Sequence, residues 1–202
     1  MNPHTEDNDL TLAGTVLTGA EFSHSVKGRD YLTSKLEIKR LSGCDDIVNV
    51  IIPGDIPGIC LFKKGARAAI SGEARSHNNR TGVGSRLLIF AYVRNIQPAG
   101  RQEDSNQIRL TGTVCKPPIY RTTPLGREIC DLLMAVRRRY DRSDYLPVIL
   151  WGKNARAAAM LQQGDRIAVE GRLQSRDYIK ETGGASVVKT AIEISVSGME
   201  VL

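Results

Sequence analysis

Leu10-Thr-Leu-Ala-Gly-Thr-Val16 recurs as Ile108-Arg-Leu-Thr-Gly-Thr-Val114, with four of seven residues identical at a shift of 98 positions (112 − 14). Gly65-Ala-Arg-Ala-Ala-Ile-Ser-Gly-Glu-Ala-Arg-Ser76 recurs as Gly164-Asp-Arg-Ile-Ala-Val-Glu-Gly-Arg-Leu-Gln-Ser175, with five of twelve identical at a shift of 99 (171 − 72). These matches indicate a tandem duplication within the 202 residues. A period of roughly 100 residues is too long for a solenoid repeat, and it fits two copies of one small domain.

The bulk composition is that of an ordinary globular protein, with 41% hydrophobic and 25% charged residues. The N-terminus is acidic and polar, and no stretch approaches the roughly 18 apolar residues of a membrane span. We therefore expect a cytoplasmic protein. None of the four cysteines is in a Cys-x-x-Cys spacing, so we predict reduced, buried thiols rather than a zinc site or a disulfide framework.

The net charge of +6 is unevenly distributed between the copies. Residues 1–99 carry 12 Lys and Arg against 10 Asp and Glu, whereas residues 107–202 carry 15 against 10, and 11 of those 15 are Arg. Arginine pairs with phosphates bidentately and stacks on bases, so this excess favours a nucleic-acid partner for the second copy.

Each copy has the pattern of three strands, a short helix and two more strands. In the second copy we predict strands at 108–121, 129–140, 145–151, 166–178 and 187–196, with a helix at 154–163 that begins at Asn154. The first copy predicts strands at 10–17, 31–41, 47–52, 66–75 and 86–96, and Pro53-Gly-Asp-Ile-Pro-Gly58 leaves at most a turn or two of helix.

This element order predicts an all-β protein with short helices, made of two tandem OB-fold, five-stranded Greek-key barrels. We expect the first domain at residues 1–99, a polar linker at 100–106 and the second domain at 107–202.

The residue pattern indicates no catalytic function. The three histidines, His4, His24 and His77, have no Asp, Glu or Cys at a spacing that suggests a metal site or a proton relay. Phosphate-binding glycine motifs are absent, and Gly82-Val-Gly84 is typical of a hairpin turn. We expect no enzyme activity, no cofactor and no metal.

Aromatic residues alternate with arginine in the second copy, as in Arg137-Arg-Arg-Tyr-Asp-Arg142 and Arg176-Asp-Tyr178. Aromatic rings beside cationic side chains bind single strands with little sequence preference, because every base has a π-face. Tyrosines also pack at the rims of small barrels with the hydroxyl in water. In an unbroken strand, Met134 and Val136 would share a face with Tyr140, so a bulge must redirect one of the two sets.

The second copy resembles the bacterial single-stranded DNA-binding protein family, close to primosomal replication protein N. The resemblance rests on Ile108–Val114, on Leu150-Trp-Gly-Lys-Asn-Ala157 and on Gly164–Arg176, and it covers essentially all of residues 107–202. It implies that four aromatic positions stack on DNA bases: Tyr140, Tyr145, Trp151 and Tyr178. Together with the duplication, it indicates a tandem version with two OB folds per chain.

Two features depart from that family. The chain ends at Ser197-Gly-Met-Glu-Val-Leu202 without the acidic tail through which bacterial members recruit replication and repair enzymes. The shift also places non-aromatic residues at the four stacking positions of the first copy: Ser42, Ile47, Pro53 and Asn79. We therefore expect a degenerate first domain without stacking aromatics.

We interpret the chain as a sequence-nonspecific single-stranded DNA-binding protein of DNA replication, recombination or repair. The predicted phosphate contacts are the basic residues near the four rings: Arg137, Arg138, Arg139, Arg142, Lys153, Arg172, Arg176 and Lys180. The resemblance implies four OB folds per assembly and hence a homodimer. A replication-restart or mobile-element accessory protein that mainly binds proteins is the alternative, and RNA binding stays open.

Overall fold

The computed structural model describes residues 7–79, 86–100, 104–138, 142–182 and 185–202, mostly as β-strands. Its contacts define two compact units. One comprises Leu10–Asn106 with Gln174–Ile192, and the other Gln107–Leu173 with Glu193–Leu202 and the N-terminal residues up to Asp9. Each unit therefore contains segments of both sequence copies, and the domain ranges 1–99 and 107–202 stay a prediction.

The first barrel consists of β1 to β5 and a 3-10 turn at Ile59–Leu61. Its strands are β1 (Asn8–Val26), β2 (Arg29–Lys39), β3 (Asp45–Pro53), β4 (Arg67–Asn78) and β5 (Leu87–Pro98). The pairing order β1-β2-β3-β5-β4-β1 closes the sheet, and β3 pairs with β5 in parallel. This closed order is that of the OB fold.

The second barrel repeats this order with β6, β8, β9, β10 and β11. Its elements are β6 (Ser105–Val114), β7 (Ile119–Thr122), β8 (Glu128–Arg138), β9 (Arg142–Trp151), α1 (Gly152–Ala158), β10 (Arg166–Thr182) and β11 (Ala185–Val201). The order β6-β8-β9-β11-β10-β6 is closed, and β7 adds a short strand at the outer edge of β8. The predicted fold class, two tandem OB folds, is confirmed.

Alternating residues of each strand fill the barrels. Leu36 on β2, Val50 on β3 and Val93 on β5 are fully buried in the first barrel, as are Met134 on β8 and Leu146 on β9 in the second. A fully buried side chain of this size contributes about 1.5–3 kcal/mol through removal from water. The period-2 alternation of hydrophobic residues therefore directs one face of each strand inward.

Two glycines of the repeated motifs allow close strand contacts. A Cβ on Gly72 would lie 2.0 Å from the carbonyl oxygen of Tyr92, and a Cβ on Gly171 would lie 2.2 Å from that of Ser195. No side chain fits at such distances. Both copies therefore have glycine at this position, where β4 lies close to β5 and β10 lies close to β11.

The predicted strand at 108–121 is wrong as a single strand. It is divided into β6 and β7 at Pro117 and Pro118, since neither proline has the N–H that a continuous ladder requires. By contrast, β1 runs on from Leu17 to Val26 and pairs with β2 as far as Arg29.

The predicted helix at 154–163 is also displaced. The helix begins at Gly152 directly after β9 and ends at Ala158, and no side chain caps its N-terminus. Asn154 is not the N-cap, because its Nδ2 donates to the carbonyl oxygen of Ser197 at 3.0 Å. In the first barrel, the breaker-rich segment is followed only by the 3-10 turn, whose N-cap is Gly58.

Asp104, in the predicted linker, is hydrogen-bonded to the first barrel. Asp104 accepts a hydrogen bond from Arg67 Nη1 at 2.6 Å and another from the backbone N–H of Lys39 at 2.7 Å. These bonds connect the start of β6 to β2 and β4.

The cysteines differ from the prediction of four buried thiols. Cys44 and Cys60 are exposed, Cys115 is half-buried and Cys130 is buried. Burial raises the pKa of the Cys115 and Cys130 thiols. Cys44, between Gly43 and Asp45, and Cys60, between Ile59 and Leu61, are exposed because both lie in connections between strands.

Candidate nucleic-acid interface

The outer face of β8 and β9 presents Tyr145 to solvent. Tyr145 is 46% exposed and pairs with Ala135, while Arg137 pairs with Ser143 next to it. The register of β8 with β9 is regular from Ile129 to Arg138, so the even-numbered residues of β8 face the core without a bulge. A small residue opposite Tyr145 leaves the ring face accessible.

Trp151, the last residue of β9, is only partly exposed. Its Nε1–H donates to Ser195 Oγ at 3.3 Å, and its cross-strand partner Ile129 is buried. The hydrogen bond fixes the indole while part of the ring faces solvent. Trp151 is therefore packed against neighbouring strands and still partly accessible to solvent, as is usual for an aromatic residue at the rim of a barrel.

Arg138 has a structural partner that the sequence analysis did not consider. Its Nε donates to Asp144 Oδ2 at 2.8 Å, its Nη2 contacts Oδ1, and the Asp144 side chain is 2% exposed. This bidentate pair joins the ends of β8 and β9 at the connection that contains Tyr140. Two of the donors expected to contact phosphate thus bind a buried carboxylate.

The same pair occurs in the first barrel. Arg40 Nε donates to Asp46 Oδ2 at 2.7 Å, Nη2 contacts Oδ1, and Asp46 is buried. The backbone N–H of Ser175 also donates to Asp46 Oδ1 at 2.8 Å, and the Ile47 N–H donates to Ser175 Oγ at 3.0 Å. Asp46 therefore holds β10 against β3 within the first compact unit.

The other predicted contacts divide into two groups. Five basic residues have exposed side chains: Arg137, Arg142, Lys153, Arg172 and Arg176. Arg139 and Tyr140 lie outside the described residues, as do the side chains of Tyr178 and Lys180 on β10. Of the predicted rings, the structure thus describes Tyr145 and Trp151, both on β9.

At the four corresponding positions of the first copy, the structure places no ring. Ser42 is exposed in the β2–β3 turn, Ile47 is 38% exposed, Pro53 is buried and Asn79 is half-buried. Rings are nevertheless present elsewhere on this barrel, at positions that the shift between the copies does not indicate.

The first-barrel aromatic surface consists of His24, Tyr31 and Tyr92. The rings of His24 and Tyr31 stack at 5.0 Å between centroids with an interplanar angle of 11°, and Tyr92 lies 6.4 Å from Tyr31. Phe22 is 66% exposed as well, but it pairs with Leu32 and so lies on the other face of the hairpin. The short turn at Lys27 and Gly28 places His24 opposite Tyr31, and this hairpin register was the available sequence signal.

Two guanidinium groups complete this surface. Arg75 Cζ lies 3.7 Å from the Tyr92 ring centroid, and Arg29 Cζ lies 5.8 Å from that of Tyr31. Glu73 accepts from Arg75 Nε at 3.0 Å and from Arg94 Nε at 2.7 Å. Burial by itself raises the pKa of Glu73, but the hydrogen bonds from the two arginines outweigh it and lower the pKa below its ordinary value.

The Arg29 end of the surface has its own ion pair. Arg29 Nε and Nη2 donate to Asp55 Oδ1 at 2.9 and 2.7 Å. The hydrogen bond from Arg29 lowers the pKa of the exposed Asp55 carboxyl. Carboxylates thus orient the guanidinium planes at both ends of the aromatic surface.

Within the described part of the chain, no three His, Cys, Asp or Glu side chains are grouped to hold a metal ion. No helix among the described residues is both long and apolar enough to cross a membrane.

Comparison with known proteins identifies the family of this chain. Residues 105–202 match the model of the single-strand binding protein family. A single-stranded DNA-binding protein of Clostridium tetani is 30% identical over 102 residues, which cover 47% of this chain and 70% of that protein. Single-stranded DNA-binding protein B of Bacillus subtilis is 34% identical over 85 residues, covering 39% of this chain and 75% of the relative. The chain belongs to the single-strand binding protein family.

The likeness of fold extends over both barrels. The crystal structure of wild-type single-stranded DNA binding protein from Thermus aquaticus superposes with a TM-score of 0.77 at 21% identity. The match covers 96% of this chain and 92% of that one. The tandem arrangement of OB folds therefore has a solved counterpart.

Proposed function

We propose that this chain binds single-stranded DNA without base-specific readout, and that the outer face of β8 and β9 is the main contact surface. The family membership supports the ligand class. The observation that carries the choice of surface is Tyr145, an exposed ring on a regular two-stranded ladder with Arg137 and Arg142 at the same end. Stacking on such rings and ionic contacts to phosphate need no particular base.

The proposed contact set keeps the four rings, Tyr140, Tyr145, Trp151 and Tyr178. The exposed basic residues around them supply the phosphate contacts. Arg138 has a different role in this proposal: its pair with Asp144 joins the ends of β8 and β9. A single strand bound in this way would be protected during DNA replication, recombination or repair.

Titration with oligo-dT and with duplex DNA at two salt concentrations tests the function. We expect tighter binding to the single strand and an affinity that falls as salt rises, because basic side chains displace counterions from phosphates. Preference for duplex, or an affinity independent of salt, would contradict the proposal and favour a protein-binding role. The same titration with oligo-U measures any preference for RNA.

We further propose a homodimer, because two OB folds per chain reach the four that the family resemblance implies by simple two-fold association. Light scattering at micromolar concentration should then give about twice the chain mass of 22.1 kDa. A monomer mass at that concentration would refute the dimer and leave the DNA-binding proposal unaffected.

A further inference from the structure

The short strand β7 lies at an edge of the sheet. Of the described strands it alone has a single pairing partner, β8, and each of its four residues is exposed. An unpaired strand edge presents a row of N–H and C=O groups to which another extended chain can bond. We call the side of β7 that faces away from β8 its open edge.

The backbone groups on the open edge belong to Tyr120 and Thr122. The N–H of Thr123 donates to the carbonyl oxygen of Arg127 at 2.8 Å, so these two residues form a hydrogen-bonded pair. Such pairs alternate with non-hydrogen-bonded ones along an antiparallel ladder, so Arg121 bonds to β8, whereas Tyr120 and Thr122 direct N–H and C=O outward. In the described part of the chain, these two N–H groups have no acceptor.

The open edge is short and already ordered. Pro118, the preceding residue with an outward position, has no N–H, so the edge ends there. The Tyr120 hydroxyl donates to Glu128 Oε1 at 2.6 Å. Arg121 Nε donates to Asp131 Oδ2 at 2.8 Å. Because these bonds connect β7 to β8 before any partner binds, little conformational entropy is lost on binding.

The pattern of donors and acceptors selects a polypeptide as the ligand. Tyr120 and Thr122 each present one N–H and one C=O, about 6.8 Å apart along the strand. A phosphodiester backbone offers acceptors alone and would leave the outward C=O groups unpaired. An extended polypeptide presents donors and acceptors at the same two-residue spacing.

The charges around the open edge favour an acidic segment. Lys116 precedes β7 and Arg127 follows it, and both side chains are exposed. Neither forms an ion pair with another described residue, whereas Arg121 and Arg156 are paired with carboxylates of β8. Positive charge is therefore in excess at the two ends of the edge, where carboxylates on an added strand would find partners.

The same charges disfavour β7 of a second copy as the occupant. The antiparallel register that uses both outward residues of each strand pairs Tyr120 with Thr122 and places the two Arg121 residues opposite each other. Like charges directly opposite each other destabilise a strand pair. An acidic strand avoids this repulsion.

We propose that the open edge of β7 is a docking site for an extended, acidic segment of a protein partner. The segment adds a strand to the second barrel by bonding to the backbone of Tyr120 and Thr122, while its carboxylates face Lys116 and Arg127. The site goes beyond the proposed function, because its ligand is a polypeptide and its contacts are backbone hydrogen bonds rather than stacked rings.

Fluorescence anisotropy of a labelled peptide tests the site in the full-length chain. The probe is an alternating Asp-Val peptide of about eight residues, and the control peptide has Lys in place of Asp. We expect the acidic peptide to bind about tenfold or more tightly than the basic one at low salt, with a preference that falls as salt rises. Lys116→Glu combined with Arg127→Glu should reverse the preference.

A substitution in the backbone of the edge separates strand addition from simple charge attraction. Thr122→Pro removes an outward N–H that takes no part in the ladder with β8, so the hairpin should remain. Thr122→Val is the matched control, since it keeps the N–H and the preference for a strand. The acidic peptide should bind Thr122→Pro about tenfold more weakly and Thr122→Val as the wild type does. Circular dichroism melting curves establish that both variants are folded.

Amide hydrogen exchange in the wild type gives an independent readout that needs no variant. The acidic peptide should slow exchange at Tyr120 and Thr122 and leave Arg121 unchanged, since the Arg121 N–H is already bonded to β8.

Equal affinity for the acidic and basic peptides, or uniform exchange along β7 with and without peptide, would overturn the inference. A dimer mass in light scattering that Thr122→Pro abolishes would assign the open edge to a second copy instead. Loss of oligo-dT binding in Thr122→Pro but not in Thr122→Val would assign it to nucleic acid.

Discussion

Trp151 shows how one residue can serve both the fold and the ligand. Its indole N–H donates a hydrogen bond to Ser195 Oγ, and it is the last residue of β9, directly before α1. The part of the ring that faces solvent remains available to a base. Because packing fixes its orientation, a base that stacks on it meets a rigid platform.

Substitution of Trp151 separates these two roles. If a base stacks on the indole, oligo-dT should quench the intrinsic fluorescence, and Trp151→Ala should weaken binding by about 1–3 kcal/mol. Trp151→Phe should lose less, since a smaller ring remains. A Trp151→Ala protein that is folded by circular dichroism and binds oligo-dT with undiminished affinity would show that Trp151 only packs.

The ionisation of Glu73, which holds Arg75 beside the first-barrel aromatic surface, makes the stability of this region depend on pH. Its side chain is 14% exposed and accepts hydrogen bonds from Arg75 and Arg94. Its pKa in the folded protein is below the ordinary value of 4.5, so the unfolded chain binds the proton more tightly. The stabilisation that Glu73 provides is therefore present above pH 4.5 and is lost as the pH falls through the lowered pKa.

Glu73→Gln should destabilise the protein by about 2 kcal/mol at pH 7 and flatten the decline of stability below pH 4.5. Urea unfolding at pH 7, 4 and 3 measures both effects. Glu170→Gln is the matched control: Glu170 pairs with Arg109 but is 61% exposed, so we expect a change within about 1 kcal/mol. Equal pH profiles for wild type and Glu73→Gln would refute the assignment.

At the scale of elements, the repeated glycines explain why the duplicated sequence motifs specify a barrel. Gly14 and Gly112, 98 residues apart, allow β1 and β6 to approach the carbonyl oxygens of Glu37 and Ala135. Gly72 and Gly171 act likewise on β4 and β10. A closed five-stranded sheet requires tight bends, and a residue without a Cβ supplies them.

Gly72→Ala should therefore destabilise the first barrel by at least about 2 kcal/mol, since the new Cβ would lie 2.0 Å from a backbone oxygen that cannot move without disturbing β5. Gly198→Ala is the control, because nothing lies within 4 Å of a Cβ there. Thermal unfolding measures both variants. A Gly72→Ala protein as stable as Gly198→Ala would mean that β4 and β5 are farther apart than described.

The sequence predicted the number, order and approximate position of the barrel strands because hydrophobic alternation is a local property that each copy displays. Tyr145 was named through the family resemblance rather than through this alternation, and its ring is 46% exposed. The consecutive prolines Pro117 and Pro118 are a sufficient signal for the break between β6 and β7, whereas the start of α1 at Gly152 has no capping signal in its side chains. The pairing of His24 with Tyr31 depends on β1 continuing beyond Leu17, its predicted end, to Val26.

Contacts between distant residues were beyond sequence analysis. Asp104 with Arg67 and Ser175 with Asp46 are separated by 37 and 129 residues, and no periodic pattern relates them. The same is true of Arg75 over Tyr92 in the first-barrel aromatic surface. Such contacts depend on which distant segments fold into the same compact unit, so only the three-dimensional structure reveals them.

At the scale of the whole molecule, the chain's two copies do not form two separate contact units. The β10–β11 segment Gln174–Ile192 belongs to the second copy by sequence, yet it lies in the same compact unit as the first barrel. Asp46 is central to this arrangement, because it is fully buried and binds both Arg40 and the backbone of Ser175. The residue next to Ser175 is Arg176, one of the proposed phosphate contacts.

We therefore expect a substitution in the first barrel to affect DNA binding by the second copy. Asp46→Ala removes the acceptor of the Ser175 N–H and leaves Arg40 without its buried carboxylate, at a cost of about 3 kcal/mol in stability. Amide hydrogen exchange in residues 174–192 should become faster, and affinity for oligo-dT should fall as Arg176 loses its fixed position.

Asp45→Ala is the matched control, since Asp45 is the adjacent carboxylate, is exposed, and lies on the same strand. If exchange in residues 174–192 is equally slow in both variants, Asp46 does not hold this segment, and the phosphate contact at Arg176 does not depend on the first barrel.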